Sequence, residues 1–214
     1  MKSAHIPRAT IQRLSIYVQV LEDLFLDGEK VVSSEELARL CQVNPSQIRK
    51  DLAYFGEFGV RGVGYYVQDL STAIKQSLGV DRVWNAALVG VGNLGRALLR
   101  SRMFRRRGFF IVGAFDCDPF KIGEEIAGLD VICTQQVGEK IAELNIEIGI
   151  VSTPQERAQR AVNHLVEGGI KGIINFTPAR VQVPENVALE HVDFMHHFFS
   201  ASFTICKNQT KGLI

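Results

Sequence analysis

One stretch restricts the fold more than any other: Ala87-Leu-Val-Gly-Val-Gly-Asn-Leu-Gly95, continued by Arg-Ala-Leu-Leu-Arg100. The apolar run from Ala86 to Val91 predicts a buried strand, which turns at Gly90-Val91-Gly92 and passes into a helix through Asn93, Leu94 and Gly95. The spacing is G-x-G-x-x-G in a strand–turn–helix setting. Gly90 permits the tight turn, Gly92 has no Cβ to block a pyrophosphate, and Gly95 lets helix and strand pack closely. The helix N-terminus then turns free N–H groups and a positive dipole end toward the phosphates. A second strand, Phe109 to Phe115, ends at Asp116. This acid lies a little beyond the usual offset of about 20 residues from the glycines, but at the strand end where a ribose 2′-OH partner belongs. A carboxylate there repels a 2′-phosphate, so NAD is expected over NADP, with Lys121 the one cation close by. The other reading of the glycines is a turn shaped by packing alone.

From residue 81 onward, strands and helices alternate, which predicts an α/β domain with a Rossmann-like parallel sheet covered on both faces. Short strands are expected near Val131-Cys133, Glu147-Ser152, Gly172-Phe176 and Val187-Val192, and helices near Val137-Leu144 and Glu156-Gly168, the latter with Gly168 as its C′ residue. Ligands in such sheets sit outside the carboxyl ends of the strands. That gathers Gly90 to Gly95, Asp116, Lys121, Thr153, Pro154, Asn175 and Phe176 around one crevice as the candidate cofactor contacts. Arg100, Arg102, Arg105, Arg106 and Arg107 form a basic run, read as a solvated helix end in preference to a phosphate contact. Cys117 is read as a small buried hydrophobe. The tail from Asp193 to Cys206 is apolar on more than one face, so it must be buried, either on its own domain or against a second copy of the chain.

Residues 1–80 read differently. A helix from Arg8 to Leu26 is stopped by Asp27-Gly28; Ser33 caps a short helix carrying Leu37 and Leu40; and Asn44-Pro45 opens a third, Ser46 to Phe55. Ile48, Leu52 and Phe55 face inward on it, leaving Gln47, Arg49, Lys50 and Tyr54 off that face. Two short helices with a tight turn make a helix-turn-helix, whose second helix enters a major groove. The β-prone runs flanking Arg61-Gly62 read as a hairpin wing with a cation at its tip, suited to a minor groove. The candidate DNA contacts are Arg8, Arg13, Ser46, Gln47, Arg49, Lys50, Tyr54, Arg61 and Gly62. Basic and acidic residues balance over this region, so only local clustering favours DNA, and a helical protein-interaction domain is the other reading. A linking helix ends at Gly79. The expected partition is 1–80, 81–193 and a C-terminal segment 194–214.

The remaining features exclude more than they assign. The net charge of +1 argues neither for nor against nucleic acid. Four scattered cysteines without C-x-x-C give no disulfide framework or zinc knuckle, as expected of a reducing cytoplasm. No apolar run reaches the length of a membrane span, and the N-terminus lacks a signal core. His191, His196 and His197 lack the spacing of a ligand pair, and no metal is expected.

Four segments together, Ser46-Gln-Ile-Arg-Lys-Asp-Leu-Ala-Tyr-Phe-Gly56, Arg61-Gly-Val-Gly-Tyr65, Val89-Gly-Val-Gly-Asn-Leu-Gly95 and Gly169-Ile-Lys-Gly-Ile-Ile-Asn-Phe-Thr-Pro178, closely resemble the Rex family of bacterial redox-sensing repressors. The resemblance covers nearly the whole chain. It implies a homodimer with an N-terminal winged helix, a Rossmann domain and a C-terminal helix exchanged between subunits, here carrying Phe194, Phe198, Phe199 and Phe203. It also implies binding to palindromic operator DNA when NADH is scarce relative to NAD⁺, and release when NADH binds. A family network of an Arg in the first helix, a Tyr after the glycine-loop helix and an Asp after the last strand maps onto Gln19, Ser101 and Asp193. An ion pair there would become at most neutral hydrogen bonds in this chain, so the coupling of cofactor to wing domain is expected to use other residues. Two other functions compete: an NAD-dependent dehydrogenase with a helical extension, which the lack of a substrate domain and of a proton-transfer pair near the crevice disfavours, and a dinucleotide-gated protein-interaction module.

Overall fold

A computed structural model describes residues 6–56, 58–60 and 62–211. The chain divides into two compact units, the first ending at Arg82 and the second beginning at Val83.

In the first unit, α1 (Arg8–Leu26) turns Leu14, Tyr17, Val18 and Leu21 inward at helical spacing. The helix α2 (Ser34–Leu40) starts where the Ser33 hydroxyl accepts the Glu36 N–H, with Glu35 and Glu36 in its positive first turn. Pro45 opens α3 (Pro45–Leu52), which ends three residues earlier than its sequence suggests, because Ala53 to Phe55 leave the helix in a turn. Strands β2 (Gly59–Val60) and β3 (Gly64–Tyr66) pair antiparallel, and β1 (Val31–Val32), which the sequence reading missed, pairs on the other side of β3. This three-stranded sheet is the wing. Gly64 is fixed by its close approach, since a Cβ there would lie 2.5 Å from the Val32 carbonyl oxygen. The linking helix α4 (Val67–Leu78) ends at Gly79 in the left-handed region. Leu14, Leu21, Leu37, Ile48, Leu52, Leu70 and Ile74 close a core belonging to this unit alone.

The second unit is a seven-stranded sheet in the order β10-β9-β8-β4-β5-β7-β6. Its strands are β4 (Trp84–Val89), β5 (Phe109–Asp116), β6 (Glu125–Ile126), β7 (Leu129–Cys133), β8 (Ile148–Val151), β9 (Gly172–Asn175) and β10 (Ala188–His191). All neighbours are parallel except β6 and β7. The sheet is therefore mixed where the alternating pattern predicted a wholly parallel one. The hairpin turns at Ala127-Gly128, both with positive φ, as a two-residue turn between twisted strands requires. From β4 the chain builds first to one side and then to the other, so the strand order reverses between β5 and β8, at β4. One face is covered by α5 (Asn93–Arg100), over Ala86, Leu88, Ala114 and Ile150; α7 (Val137–Glu143) and α8 (Gln155–Glu167) cover the other, over Val89, Phe115, Val151 and Ile173. At the end of α8 the positive φ belongs to Gly169 and not to Gly168. The last helix, α9 (Phe194–Lys211), does not fold back: Phe198, Phe199 and Phe203 are 65%, 68% and 69% exposed.

The polar centre of the first unit is Asp51, 1% exposed in the last turn of α3. Oδ2 accepts from Arg13 Nε at 2.6 Å and Tyr17 Oη at 2.8 Å; Oδ1 accepts from Arg13 Nη2 at 2.7 Å, Gln47 Nε2 at 2.9 Å and Thr10 Oγ1 at 3.2 Å. Burial opposes ionisation of this carboxyl, but the hydrogen bonds from Arg13, Tyr17 and Gln47 and the charge of Arg13 outweigh it and hold its pKa below the ordinary value. A depressed folded pKa contributes stability that is present above the unfolded value of about 3.9 and lost as pH falls through the folded one. Asp51→Asn should therefore lower stability at pH 7 by about 2–4 kcal/mol, since it leaves Arg13 and its neighbours facing a neutral amide. In urea titrations followed by circular dichroism the deficit should shrink below about pH 4, where the carboxylate of the unfolded chain begins to protonate and the native one follows at lower pH. Equal stability of the two proteins at pH 7 would contradict this role.

Candidate functional site

The reversal at β4 opens a cleft of about 480 Å³ at the carboxyl ends of the strands. Gly90 stands at its base with φ +99°, and a Cβ on it would lie 2.7 Å from the Ser152 carbonyl. Ser152 Oγ donates to the Gly90 carbonyl at 2.8 Å, tying the end of β8 to the glycine turn. Gly95 is equally constrained, because a Cβ there would run into the Gly90 carbonyl oxygen. Gly92 differs: a Cβ on it meets nothing within 4 Å, so no packing demand excludes a side chain. Its bareness leaves open the approach to the first turn of α5, whose leading N–H groups have no partners within the helix. The first helical hydrogen bond is Arg96 N–H to Gly92 O.

Asp116 clasps this turn. Its carboxylate, 6% exposed, accepts the Val91 N–H at 2.7 Å, the Asp118 N–H at 3.0 Å and the Lys121 ammonium at 3.1 Å. Burial would raise its pKa, but the two backbone N–H groups and Lys121 prevail and hold it low. Three of about four lone-pair directions are thus taken, leaving one for a sugar hydroxyl. Lys121 neutralises the charge that the sequence reading set against a 2′-phosphate. Thr153 and Pro154 line the same cleft, and the buried Thr153 Oγ1 has no hydrogen-bond partner among the described residues, which suits it to a ligand's polar group.

Not every expected contact gathers here. Asn175 is fully buried and spends its amide internally: Nδ2 on Ala179 O at 2.9 Å and His191 Nδ1 at 3.1 Å, Oδ1 on Thr177 N and Oγ1 at 3.0 and 2.8 Å. It shapes the loop after β9 and is not free for a cofactor. Phe176 lines a separate cleft with His191, Asp193 and Phe194, its ring 6.5 Å from that of Phe194. Val91 turns its side chain into the core, while Asn93 and Leu94 are exposed. Cys117 is exposed, not buried, and its Sγ accepts from Arg157 Nη1 at 3.1 Å. Arg157, Arg160 and His164 on α8 complete the cleft and were missed in the sequence, where nothing marks which helical face borders the glycine turn.

On α3, Ser46, Arg49 and Lys50 are exposed, with Arg49 Nη1 on Ser34 Oγ at 3.0 Å and 3.6 Å from Glu35. Tyr54 is exposed beside Phe55. Arg8 is exposed at the start of α1, and Gly62 turns with φ +81°; Arg61 lies outside the described residues. One expected contact is corrected: Arg13 faces inward onto Asp51, because a buried carboxylate must gather donors, and Gln47 commits one N–H of its Nε2 to the same carboxylate. Asp51 itself was overlooked. The signal was an acid three residues after Ile48 and one before Leu52, on the inward face of the helix. Gln19 is exposed on α1, Ser101 ends α5, and Asp193 Oδ1 accepts the Met195 N–H at the head of α9. Arg102, Arg105, Arg106 and Arg107 are exposed and carry no ion pair among the described residues, as a solvated run should. No group of His, Cys, Asp or Glu among those residues has metal-binding geometry, and no helix is long and apolar enough to cross a membrane.

A winged helix-turn-helix unit and a Rossmann-type unit with a phosphate-binding turn together define a ligand-responsive transcription regulator. Residues 5–53 match the family model described as "Putative DNA-binding protein N-terminus", and residues 81–179 match "CoA binding domain". The chain is 68% identical over 205 residues to the redox-sensing transcriptional repressor Rex of Solidesulfovibrio magneticus, covering 96% of this chain and 93% of that protein. It is 46% identical to Rex of Carboxydothermus hydrogenoformans, covering 96% and 99%. Among solved structures it is similar to RSP in complex with beta-NAD⁺ and operator DNA, with TM-score 0.90, 36% identity and coverage of 98% and 97%. It is similar also to RSP in complex with beta-NADH, with TM-score 0.88, 35% identity and coverage of 99% and 100%. The chain belongs to the Rex family of redox-sensing transcriptional repressors.

Gly92→Val places a branched side chain in the open approach to α5, with a Cβ that meets no atom within 4 Å. The fold should survive with an unchanged melting temperature, while NADH binding measured by calorimetry should fall at least a hundredfold, about 3 kcal/mol. Normal binding by this variant would place the dinucleotide elsewhere.

Proposed function

We propose that this chain binds operator DNA as a homodimer through its winged helix and releases it when NADH occupies the cleft at β4. The observation that carries the reading is the cleft itself, with Gly92 open before α5 and the Thr153 hydroxyl in its wall without a partner among the described residues. The residues fit a dinucleotide: the turn from Gly90 to Gly95 takes the pyrophosphate, and the remaining lone pair of Asp116 takes an adenosine ribose hydroxyl. A bound dinucleotide supplies a nicotinamide whose charge and planarity depend on its redox state. The dinucleotide enters as a signal and not as a hydride donor, and the relatives' names, repressors throughout, favour this over a dehydrogenase. The cytoplasm is the compartment in which such a regulator works.

The adenosine and pyrophosphate contacts are common to NADH and NAD⁺ and cannot tell them apart, so discrimination belongs to the nicotinamide end, beyond Thr153 and Pro154. A ligand moves an equilibrium only by its differential affinity for the two states, and a full 99:1 reversal demands about 5.5 kcal/mol, which two sites per dimer would share. With Gln19 and Ser101 in place of an ion-pairing couple, the coupling of cofactor to winged helix falls to other residues. The exposed phenylalanines of α9, an apolar surface too large for a monomer, are the dimer contact.

Fluorescence anisotropy on a labelled operator at constant salt tests the reading, since salt alone changes such affinities. NADH should release the protein and NAD⁺ at equal concentration should not; equal release by both, or by neither, would sink it. Deletion from Phe194 onward should yield a monomer in sedimentation velocity and lose tight operator binding. A truncated chain that remains dimeric would move the interface away from α9.

A further inference from the structure

The hydrogen bonds around Asp51 settle which way Gln47 points its amide. Gln47 lies four residues before Asp51 on α3, one turn away on the same side. Its Nε2 donates to Oδ1 at 2.9 Å, and that oxygen also accepts from Arg13 and Thr10. With Arg13 Nε and Tyr17 on Oδ2, the carboxylate accepts five hydrogen bonds on about four lone-pair sites. It is acceptor-only, and the surrounding charge and hydrogen bonds hold it ionised. An amide oxygen turned toward it would set two acceptors against each other. The usual freedom of a glutamine to exchange its oxygen and nitrogen is therefore lost here.

Gln47 consequently offers to solvent a fixed pair of groups, Oε1 and the second N–H of Nε2. It is half-buried at the beginning of α3, between exposed Ser46 and exposed Arg49 and Lys50. The leading residues of a recognition helix are those that meet base edges. An acceptor beside a donor matches one base in the major groove. Adenine presents the N6 amino donor beside the N7 acceptor; guanine presents two acceptors, thymine an acceptor and a methyl group, and cytosine a donor alone.

We infer that Gln47 is a specificity residue that reads one adenine in each operator half-site, and that the buried Asp51 positions it to do so. The inference rests on the reading of α3 as the DNA-binding helix and adds to it the base that is recognised. Arg13, Thr10 and Tyr17 take part indirectly: they saturate the carboxylate that locks the glutamine, and do not touch DNA through those atoms.

The test is a coupled substitution on protein and DNA, with the full-length chain and no NADH. The wild-type protein first selects an operator from a random duplex pool. Each adenine of the selected half-site is then replaced, in both halves, by purine, which lacks the N6 amino group, and separately by 7-deazaadenine, which lacks N7. At one adenine both replacements should weaken wild-type binding by about 5- to 150-fold. Gln47→Met, which keeps the length of the side chain without its amide, should bind the unmodified operator more weakly and be indifferent to both replacements at that adenine. The coupling is the difference between the two proteins at the same base. An adenine profile that is identical in wild type and Gln47→Met overturns the inference while leaving α3 in the groove. Tolerance of both replacements at every adenine by the wild-type protein overturns it without recourse to any variant. Failure of the wild-type protein to enrich any sequence removes the DNA-binding reading itself and the inference with it.

Discussion

The second unit depends on one point of backbone contact. At the end of β4 the chain turns through Gly90 with the Ser152 carbonyl so near that no Cβ fits, and Gly95 brings α5 down on the same turn from the other side. Ser152 Oγ and the Asp116 carboxylate bind the turn to β8 and β5, the two strands that flank β4. A side chain at Gly90 would separate β4 from β8 where the sheet is most buried. The cleft is therefore a product of sheet packing: the same closeness that joins the strands leaves the N-terminus of α5 uncovered above them.

Each unit is centred on one buried carboxylate that gathers donors distant in sequence. Asp51 draws Thr10, Arg13 and Tyr17 of α1 onto α3, and Asp116 draws Val91 and Lys121 onto the end of β5. An ion buried without such donors would cost several kcal/mol, so each carboxylate compels its neighbours into a single arrangement. The two differ in what they organise. Asp51 fixes side chains and the angle between two helices, whereas Asp116 fixes backbone N–H groups that would otherwise be free to meet a ligand. Both are held below their ordinary pKa, so acid undermines the two units by the same route.

Local patterns were legible in the sequence, and convergent ones were not. The helix from Arg8 to Leu26 follows from its apolar spacing and Asp27-Gly28, and the glycine turn from its spacing in context. The strand end at Asp116 also follows from pattern, and the strand expected over residues 147–152 is found one residue shorter at each end. Two-residue strands such as β1 and β6 are too short for any alternation to register. Asn175 was taken for a ligand because it ends a strand on the correct side, yet its amide closes the loop to Ala179 and His191, a partnership visible only once β9 and β10 are adjacent. Arg13 was taken for a surface cation because its partner Asp51 sits 38 residues away, on another helix. The face that α8 turns to the cleft depends on the crossover from β8, which no window of sequence displays.

Strand order also bears on how the chain is made. The first unit closes its core from residues that have all left the ribosome once α4 is out, and none of its strand pairings spans more than 35 residues. The central strand of the second unit is its first to be synthesised, but one of its two neighbours, β8, begins at Ile148. During that interval β4 carries an unpaired edge of Ala86, Ala87, Leu88 and Val89, a run apolar on both faces. Distant parallel pairing of this kind is slow, and an open apolar edge is the surface on which nascent chains associate wrongly. Translation speed between Gly90 and Ile148 thus governs how long the central strand of this sheet stays exposed, and a nascent-chain chaperone would have most to protect there.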